Sequence, residues 1–182
     1  MSARETIQLG IVVERRKIDH PWQEFSWRPV AVIPGAGPLE PGEEMRLLHQ
    51  GDDWSHFHIG TLPLELYAGE TEGYRTNLSG NAPSVYIVLS PGEEEDESEV
   101  VPFLITACPY EAEGYTESGE DIVEGVPMPV EIAALVNDFI NEHHVEEPFK
   151  KRKQKKAYDP RKGGFRQGPG GPGRSGGRRH DA

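Results

Sequence analysis

Two histidines near the middle of the sequence offer the clearest possibility of chemistry. His56 and His58 are two positions apart, so on a β-strand their imidazole rings lie on the same face of the sheet, together with Trp54. Two imidazoles on one face supply half of a familiar metal site. A lone pair of histidines is a weak signal, however, and the alternative is that the pair forms the polar outer face of a hairpin. We expect no cofactor and no metal, with His56 and His58 as the only candidate ligands.

The single cysteine, Cys108, follows an apolar stretch and precedes Pro109 and Tyr110. A nucleophilic thiol needs a lowered pKa and a neighbouring base, which a histidine could supply only if the fold brought one close. The alternative is a small buried apolar residue at the end of a strand. One cysteine excludes an intramolecular disulfide, a Cys-x-x-Cys zinc site and an iron–sulfur cluster held by this chain alone. The sequence therefore favours a protein that is not an enzyme.

The C-terminal segment, residues 148–182, is strongly basic, with 12 basic and two acidic side chains. It has eight glycines, four prolines and almost no aliphatic residue. It cannot bury enough apolar surface to offset its backbone entropy, so we expect it to be disordered. Its cations could contact the phosphates of RNA or DNA without reading sequence, or the segment could serve only to solubilise the chain or to contact an acidic protein surface. The candidate polyanion-binding residues are Lys150, Lys151, Arg152, Lys153, Lys155, Lys156, Arg161, Lys162, Arg166, Arg174, Arg178 and Arg179.

The charge of the chain divides it into two parts. The whole chain of 182 residues has a net charge of −12, but residues 1–147 carry 29 acidic and seven basic side chains, a net charge of −22. We therefore predict an acidic globular domain over 1–147 and a basic tail over 148–182. No apolar run approaches the ~20 residues that cross a bilayer. The first ten residues lack the pattern of a secretory signal, so we expect a cytoplasmic protein without membrane contact.

The elements of the acidic domain are predicted from periodicity. Apolar residues alternate over 7–14, and further strands are expected over 25–33, in a hairpin spanning 47–59, in a short strand around 62–66, and in an antiparallel pair formed by 84–89 and 100–107. Pro29 indicates an edge or a bulge. Residues 70–77 are either a short helix or a long turn. Helical spacing and a first-turn proline predict one long helix over 129–144. The fold class is mainly β (α+β): a twisted antiparallel sheet or open barrel of six to seven strands with one C-terminal helix.

A set of aromatic and hydrogen-bonding residues has the composition of a recognition surface. The alternative is that Trp27 and Tyr86 belong to the core and that Glu72 and Arg75 form a local pair on a helix. The candidate recognition residues are Trp22, Arg28, Glu65, Tyr67, Glu72, Tyr74, Arg75 and Asn77.

Four segments, read together, carry a resemblance that covers roughly residues 5 to 156. They are IVVERRKIDHPWQEFSWRPVAVIPG, HFHIGTLPLELYAGETEGYRTNLSGNAPSVYIVL, TACPYEAEGYTESGEDIVEGVPMP and NEHHVEEPFKKRKQKK. With these segments the chain resembles a bacterial family catalogued as domain of unknown function 3305. The resemblance implies a context: members occur in proteobacteria, in some cases beside formate dehydrogenase genes. Many are labelled molybdopterin-guanine dinucleotide biosynthesis protein A.

That label does not fit the sequence. A guanylyltransferase of this kind opens with a strand and a glycine-rich loop that binds the nucleotide, whereas here the first strand runs directly into Glu14-Arg15-Arg16-Lys17. The alternation of strands and helices expected of a nucleotide-binding α/β fold is also missing. The sequence therefore predicts a non-catalytic accessory or adaptor protein with a protein partner, for which the resemblance suggests a molybdenum-dependent formate dehydrogenase or its maturation factors. The alternative is a nucleic-acid-binding accessory protein that acts through its tail.

Overall fold

In a computed structural model, which describes residues 4–93 and 99–145, the chain is built mainly of antiparallel strands. The described part contains seven strands, a short 3-10 turn over Ala68–Glu70 and three α-helices. The strands are β1 (Arg4–Lys17), β2 (Phe25–Pro34), β3 (Arg46–Gln50), β4 (Trp54–Tyr67), β5 (Ser84–Pro91), β6 (Val100–Thr106) and β7 (Ile122–Pro127), and the helices are α1 (Thr71–Ser79), α2 (Pro109–Thr116) and α3 (Val130–His143). Most of the acidic run after Gly92, and the whole basic tail predicted over 148–182, lie outside the described residues.

The strands form two sheets rather than one. The first has the order β2-β1-β4-β3 and the second the order β6-β5-β7, and every pair is antiparallel. The sheets pack face to face, with β4 against β6 and β2 against β7. Because alternate side chains of each strand point inwards, the apolar residues of both sheets share one core. The mainly β, antiparallel fold predicted from sequence is confirmed, and the described strands do not close into a barrel.

The first strand shows how the sequence specifies this arrangement. Leu9, Ile11 and Val13 are fully buried between the sheets, as their alternation predicts. Pro29 was expected at an edge or a bulge, and it lies in the edge strand β2 opposite Val13, where the pairing of β1 and β2 shifts register. A proline is tolerated there because an edge strand can lose a ladder donor.

Three elements differ from the prediction. The short strand expected around residues 62–66 is the second half of β4, which continues through a bulge opposite Ile11. The α2 helix and the strand β7 were not predicted. α2 is short, with its apolar residues out of helical phase, and in β7 the adjacent Ile122 and Val123, followed by Glu124 and Gly125, do not alternate. The segment 70–77 forms a short helix, and the long C-terminal helix agrees with the predicted bounds.

The helices α1 and α3 cover one end of the sandwich. α3 buries Ile132, Val136 and Phe139, which recur at helical spacing, against the core. The ring of Phe139 meets that of Tyr74 on α1 edge-on, with centroids 6.3 Å apart.

Candidate functional site

A row of polar side chains crosses the outer face of the four-stranded sheet, one from each strand. His49 on β3 lies opposite His56 on β4, His56 lies opposite Glu14 on β1, and Glu14 lies opposite Arg28 on β2. Directly opposed residues of antiparallel strands share a face of the sheet, so these four side chains are neighbours. Arg16, two residues after Glu14, adds a second guanidinium to the same face.

Glu14 is the centre of this row. Its side chain is only 7% exposed, and its carboxylate accepts hydrogen bonds from Nε of Arg28 at 3.0 Å, Nε of Arg16 at 3.3 Å and Nε2 of His56 at 3.2 Å. Burial raises the pKa of Glu14, but the hydrogen bonds from Arg28, Arg16 and His56 outweigh it and hold the pKa at about 2. The carboxylate is therefore ionised at neutral pH and fixes the positions of both guanidinium groups.

The two histidines predicted as candidate metal ligands do not converge. His56 donates from Nε2 to Glu14, since an ionised carboxylate only accepts, and its ring lies 4.6 Å from that of Trp54. His58 is buried and has Nε2 3.0 Å from Oγ1 of Thr61, whose hydroxyl donates to the carbonyl of Gly37. Burial lowers the pKa of His58. Among residues 4–93 and 99–145, no group of three His, Cys, Asp or Glu side chains is arranged to hold a metal ion.

Cys108 packs beneath helix α1. Its thiol is buried against the backbone of Gly73, where an added Cβ would come within 2.4 Å of Sγ. Burial raises the pKa of Cys108, and the charges of Glu70 and Glu111 raise it further. A thiol held neutral in this way is a poor nucleophile, which matches the interpretation of Cys108 as a small buried residue at a strand end.

Two of the candidate recognition residues form internal connections. Asn77 is buried in α1, where its side-chain amide donates to the carbonyls of Ser84 and Ala107 and accepts from the backbone N–H of Ser84. Tyr74 is fully buried, and its hydroxyl accepts from the N–H of Tyr67 and donates to Glu70. Burial raises the pKa of Tyr74 well above its ordinary value. These two residues join α1 to the sheets.

The remaining candidates are distributed over separate places. Glu65 and Tyr67 at the end of β4 bond to each other, and Glu65 also pairs with Arg4. The bond to Glu65 raises the pKa of the Tyr67 hydroxyl. Arg28 belongs to the polar row, and Trp22 stands 89% exposed in the β1–β2 connection.

On α1, Glu72 lies near Arg75, whose Nη1 donates to Nε2 of His144 at 2.8 Å. Since Nε2 accepts, the ring proton is on Nδ1, which donates to the hydroxyl of Thr71 at 2.9 Å. This pair of contacts connects the C-terminal end of α3 to α1. The structure therefore brings Glu65 and Tyr67 together with Tyr74, and Glu72 together with Arg75, but it distributes the eight candidates over separate places rather than on one continuous surface.

Comparison with known proteins assigns the chain to a family. The family model described as protein of unknown function DUF3305 matches residues 8–153. The chain belongs to this family. No curated protein and no solved structure matches it. The family resemblance predicted from the sequence is thus confirmed, and this chain is a DUF3305 member.

Two features of this family member were not predicted from its sequence. Glu14 stands at a polar position of β1, and only the pairing of strands reveals that Arg28 and His56 enclose it. Leu47 and Leu48 were assigned to a hairpin, but the strand order shows that they lie on an exposed edge. The adjacent leucines in a short, otherwise polar strand were the available signal. All the candidate polyanion-binding residues lie outside the described residues.

Proposed function

We propose that this protein is a non-catalytic accessory protein of the cytoplasm that acts by binding another protein. The observation that carries the proposal is the exposure of large apolar side chains at a loop and at a sheet edge. Trp22 is 89% exposed in the β1–β2 connection, while Leu47 and Leu48 are exposed on β3. Exposed aromatic and aliphatic residues of this kind are typical anchors of protein contacts.

The side chains that could take part in catalysis support the same proposal. Cys108 is buried with a raised pKa, His58 bonds to Thr61, and Glu14 is surrounded by its own hydrogen-bond donors. An enzyme site would hold a nucleophile or a base in reach of a substrate. Among the residues that the structure describes, these groups instead serve internal contacts. No helix in the described part is long and apolar enough to cross a bilayer.

The partner class comes from the family resemblance. That resemblance places members beside formate dehydrogenase genes in some cases, so we propose a molybdenum-dependent formate dehydrogenase, or a factor that matures it, as the partner. The test is a native pull-down with mass spectrometry, in which the wild-type chain should enrich the dehydrogenase or a maturation factor.

A matched pair of variants makes the pull-down specific. Trp22→Ala removes the exposed anchor and should reduce the enrichment, whereas Val130→Ala changes an exposed apolar residue at the start of α3 and should not. Recovery of neither a dehydrogenase nor a maturation factor with wild-type protein would refute the proposed partner class. Equal recovery with Trp22→Ala would exclude the β1–β2 connection from the interface.

A second candidate function is nucleic-acid binding through the basic tail, which the separation of charge along the sequence favours. The −22 charge of residues 1–147 should repel a polyanion. The full chain should therefore bind RNA more weakly than a peptide of residues 148–182 at equal salt. Equal or tighter binding by the full chain would show that the domain contributes a favourable surface and would support this function over the adaptor.

A further inference from the structure

The strand β3 forms one edge of the four-stranded sheet and is exposed along its whole length. In the described part of the chain it pairs with β4 on one side and with no strand on the other. All five of its residues are exposed, including Leu47 at 51% and Leu48 at 39%. A strand of this kind presents backbone N–H and C=O groups that another extended chain can pair with.

The opposite edge of the same sheet carries prolines, and β3 does not. The edge strand β2 contains Pro29 and ends at Pro34, and it packs against β7 of the second sheet. Natural edges are protected from further pairing by proline, charged residues, bulges or short length; β3 lacks proline and lysine, although it is only five residues long and begins with Arg46. A bulge at Leu48 interrupts the ladder with β4, so the free edge suits a short segment rather than a long strand.

Acidic residues lie on both sides of the leucines. Glu43 and Glu44 precede β3, and Asp52 and Asp53 follow it in the turn to β4. Glu43 and Glu44 also line an open depression of about 450 Å³ beside the strand, together with Leu39, Met45 and Arg46. The edge therefore combines an apolar centre with two carboxylates beyond each end of the strand, and Arg46 is the basic residue at its start.

We infer that β3 accepts an extended segment of the partner protein as a fifth strand of the sheet. The segment that fits has apolar residues at its centre and lysine or arginine on both sides of them, opposite Glu43 and Glu44 and opposite Asp52 and Asp53. Backbone hydrogen bonds supply most of the affinity, and the flanking charges supply the selectivity. This inference rests on the proposed function, since it names the surface and the chemistry of the partner.

The charge pattern also argues against a second copy of this chain as the occupant. Antiparallel pairing of two β3 strands about Leu48 would set Glu44 opposite Asp52 of the other copy, and Glu43 opposite Asp53. Like charges that face each other across a strand pair are destabilising. A basic segment from a different protein reverses the sign of each of these interactions.

The test uses the full chain and a synthetic probe. The probe is a fluorescent ten-residue peptide with alternating valine and threonine at its centre and two lysines at each end, and binding is followed by fluorescence polarisation at about 0.15 M salt. We expect saturable binding. The same peptide with alternate backbone nitrogens methylated keeps its charge but loses ladder donors, and it should bind about tenfold more weakly. A peptide with glutamate in place of each lysine should also lose about tenfold.

Variants of the protein locate the contact. The double variants Leu47→Lys/Leu48→Lys and Glu43→Gln/Glu44→Gln should each weaken the lysine peptide by about tenfold. Their matched controls are Val130→Lys/Val145→Lys, which adds two lysines at exposed apolar positions in and beyond α3, and Glu113→Gln/Glu117→Gln, which removes two charges from exposed positions within and beside α2. The controls should bind as the wild type does, and circular dichroism should show that every variant is folded.

Several results would overturn the inference. They are absence of saturable peptide binding, equal binding of the N-methylated peptide, and equal loss in the control variants. A wild-type dimer that Leu47→Lys/Leu48→Lys converts to monomer would make a second copy the occupant. If the pull-down partner is retained by Leu47→Lys/Leu48→Lys, the inference fails while the proposed function stands, whereas absence of any enriched partner with wild-type protein refutes the proposed function itself.

Discussion

Substitution of Glu14 by glutamine tests how the polar row stabilises the sheet. The folded structure lowers the pKa of Glu14 from 4.5 to about 2. Each unit of such a shift corresponds to about 1.4 kcal/mol, so the ionised carboxylate contributes about 3 kcal/mol to the free energy of unfolding. Arg16 and Arg28 are about half exposed, and solvent screens part of this interaction. We therefore expect Glu14→Gln to lose about 2 kcal/mol at pH 7.

The pH dependence gives the sharper signature. Because the pKa of Glu14 is lowered on folding, its contribution is complete above about pH 4.5, where the carboxylate is ionised in both states. As the pH falls below 4.5 the unfolded chain takes up the proton first, and the contribution disappears as the pH approaches 2. The stability difference between wild type and Glu14→Gln should therefore be constant from pH 7 to about pH 5 and shrink steadily below it.

The measurement is urea unfolding of both proteins at a series of pH values, followed by circular dichroism. Glu124→Gln, at an exposed position of β7, serves as the control and should follow the wild type at every pH. A difference between wild type and Glu14→Gln that stays the same from pH 5 to pH 2.5 would refute the reasoning. It would mean that the loss comes from packing of the glutamine and not from the ionised carboxylate.

Three other substitutions or deletions follow from the structure. Asn77→Ala should cost about 3 kcal/mol in urea unfolding, because it removes three hydrogen bonds to buried backbone groups, and a loss below about 1 kcal/mol would contradict the role assigned to Asn77. Gly73→Ala should lower the free energy of unfolding by about 2 kcal/mol because the new Cβ meets Sγ of Cys108. Cys108→Ala in the same chain should restore most of that loss, whereas additive losses in the double variant would exclude the clash. Deletion of residues 150–182 should leave the thermal midpoint nearly unchanged, since that segment contains only Tyr158 and Phe165 as large apolar groups. A loss above about 2 kcal/mol in the free energy of unfolding would mean that the tail is packed.

Local periodicity explains why most of the fold was predictable from the sequence. The alternation through Leu9, Ile11 and Val13, and the helical spacing through Val136 and Phe139, each bury one face, so pattern and structure agree. The failures occurred where the pattern is interrupted. β4 passes through a bulge beside Gly60 that shifts its inward-facing residues by one position, and the sequence on either side then reads as two strands.

The candidate site was less predictable because it depends on which strands are neighbours. Glu14, Arg28 and His56 are far apart in sequence, and only the order β2-β1-β4 brings them into one row. Asn77 and Tyr74 have the composition of a binding surface, but burial places them in the supports of α1. Residue type alone does not distinguish a polar group that contacts a partner from one that satisfies buried backbone.

The distribution of charge connects the polar row with the proposed docking edge. Six of the seven basic side chains in residues 1–147 lie on the four-stranded sheet, and two of them, Arg16 and Arg28, are committed to Glu14. Arg46, within β3, is the only arginine or lysine between residues 29 and 74, and Lys17 at the end of β1 lies beside the turn to β4, where its backbone N–H donates to the carbonyl of Asp53 at 2.8 Å. Four carboxylates, those of Glu43, Glu44, Asp52 and Asp53, outnumber these two cations, so lysines or arginines of a partner would add favourable charge pairs at this edge.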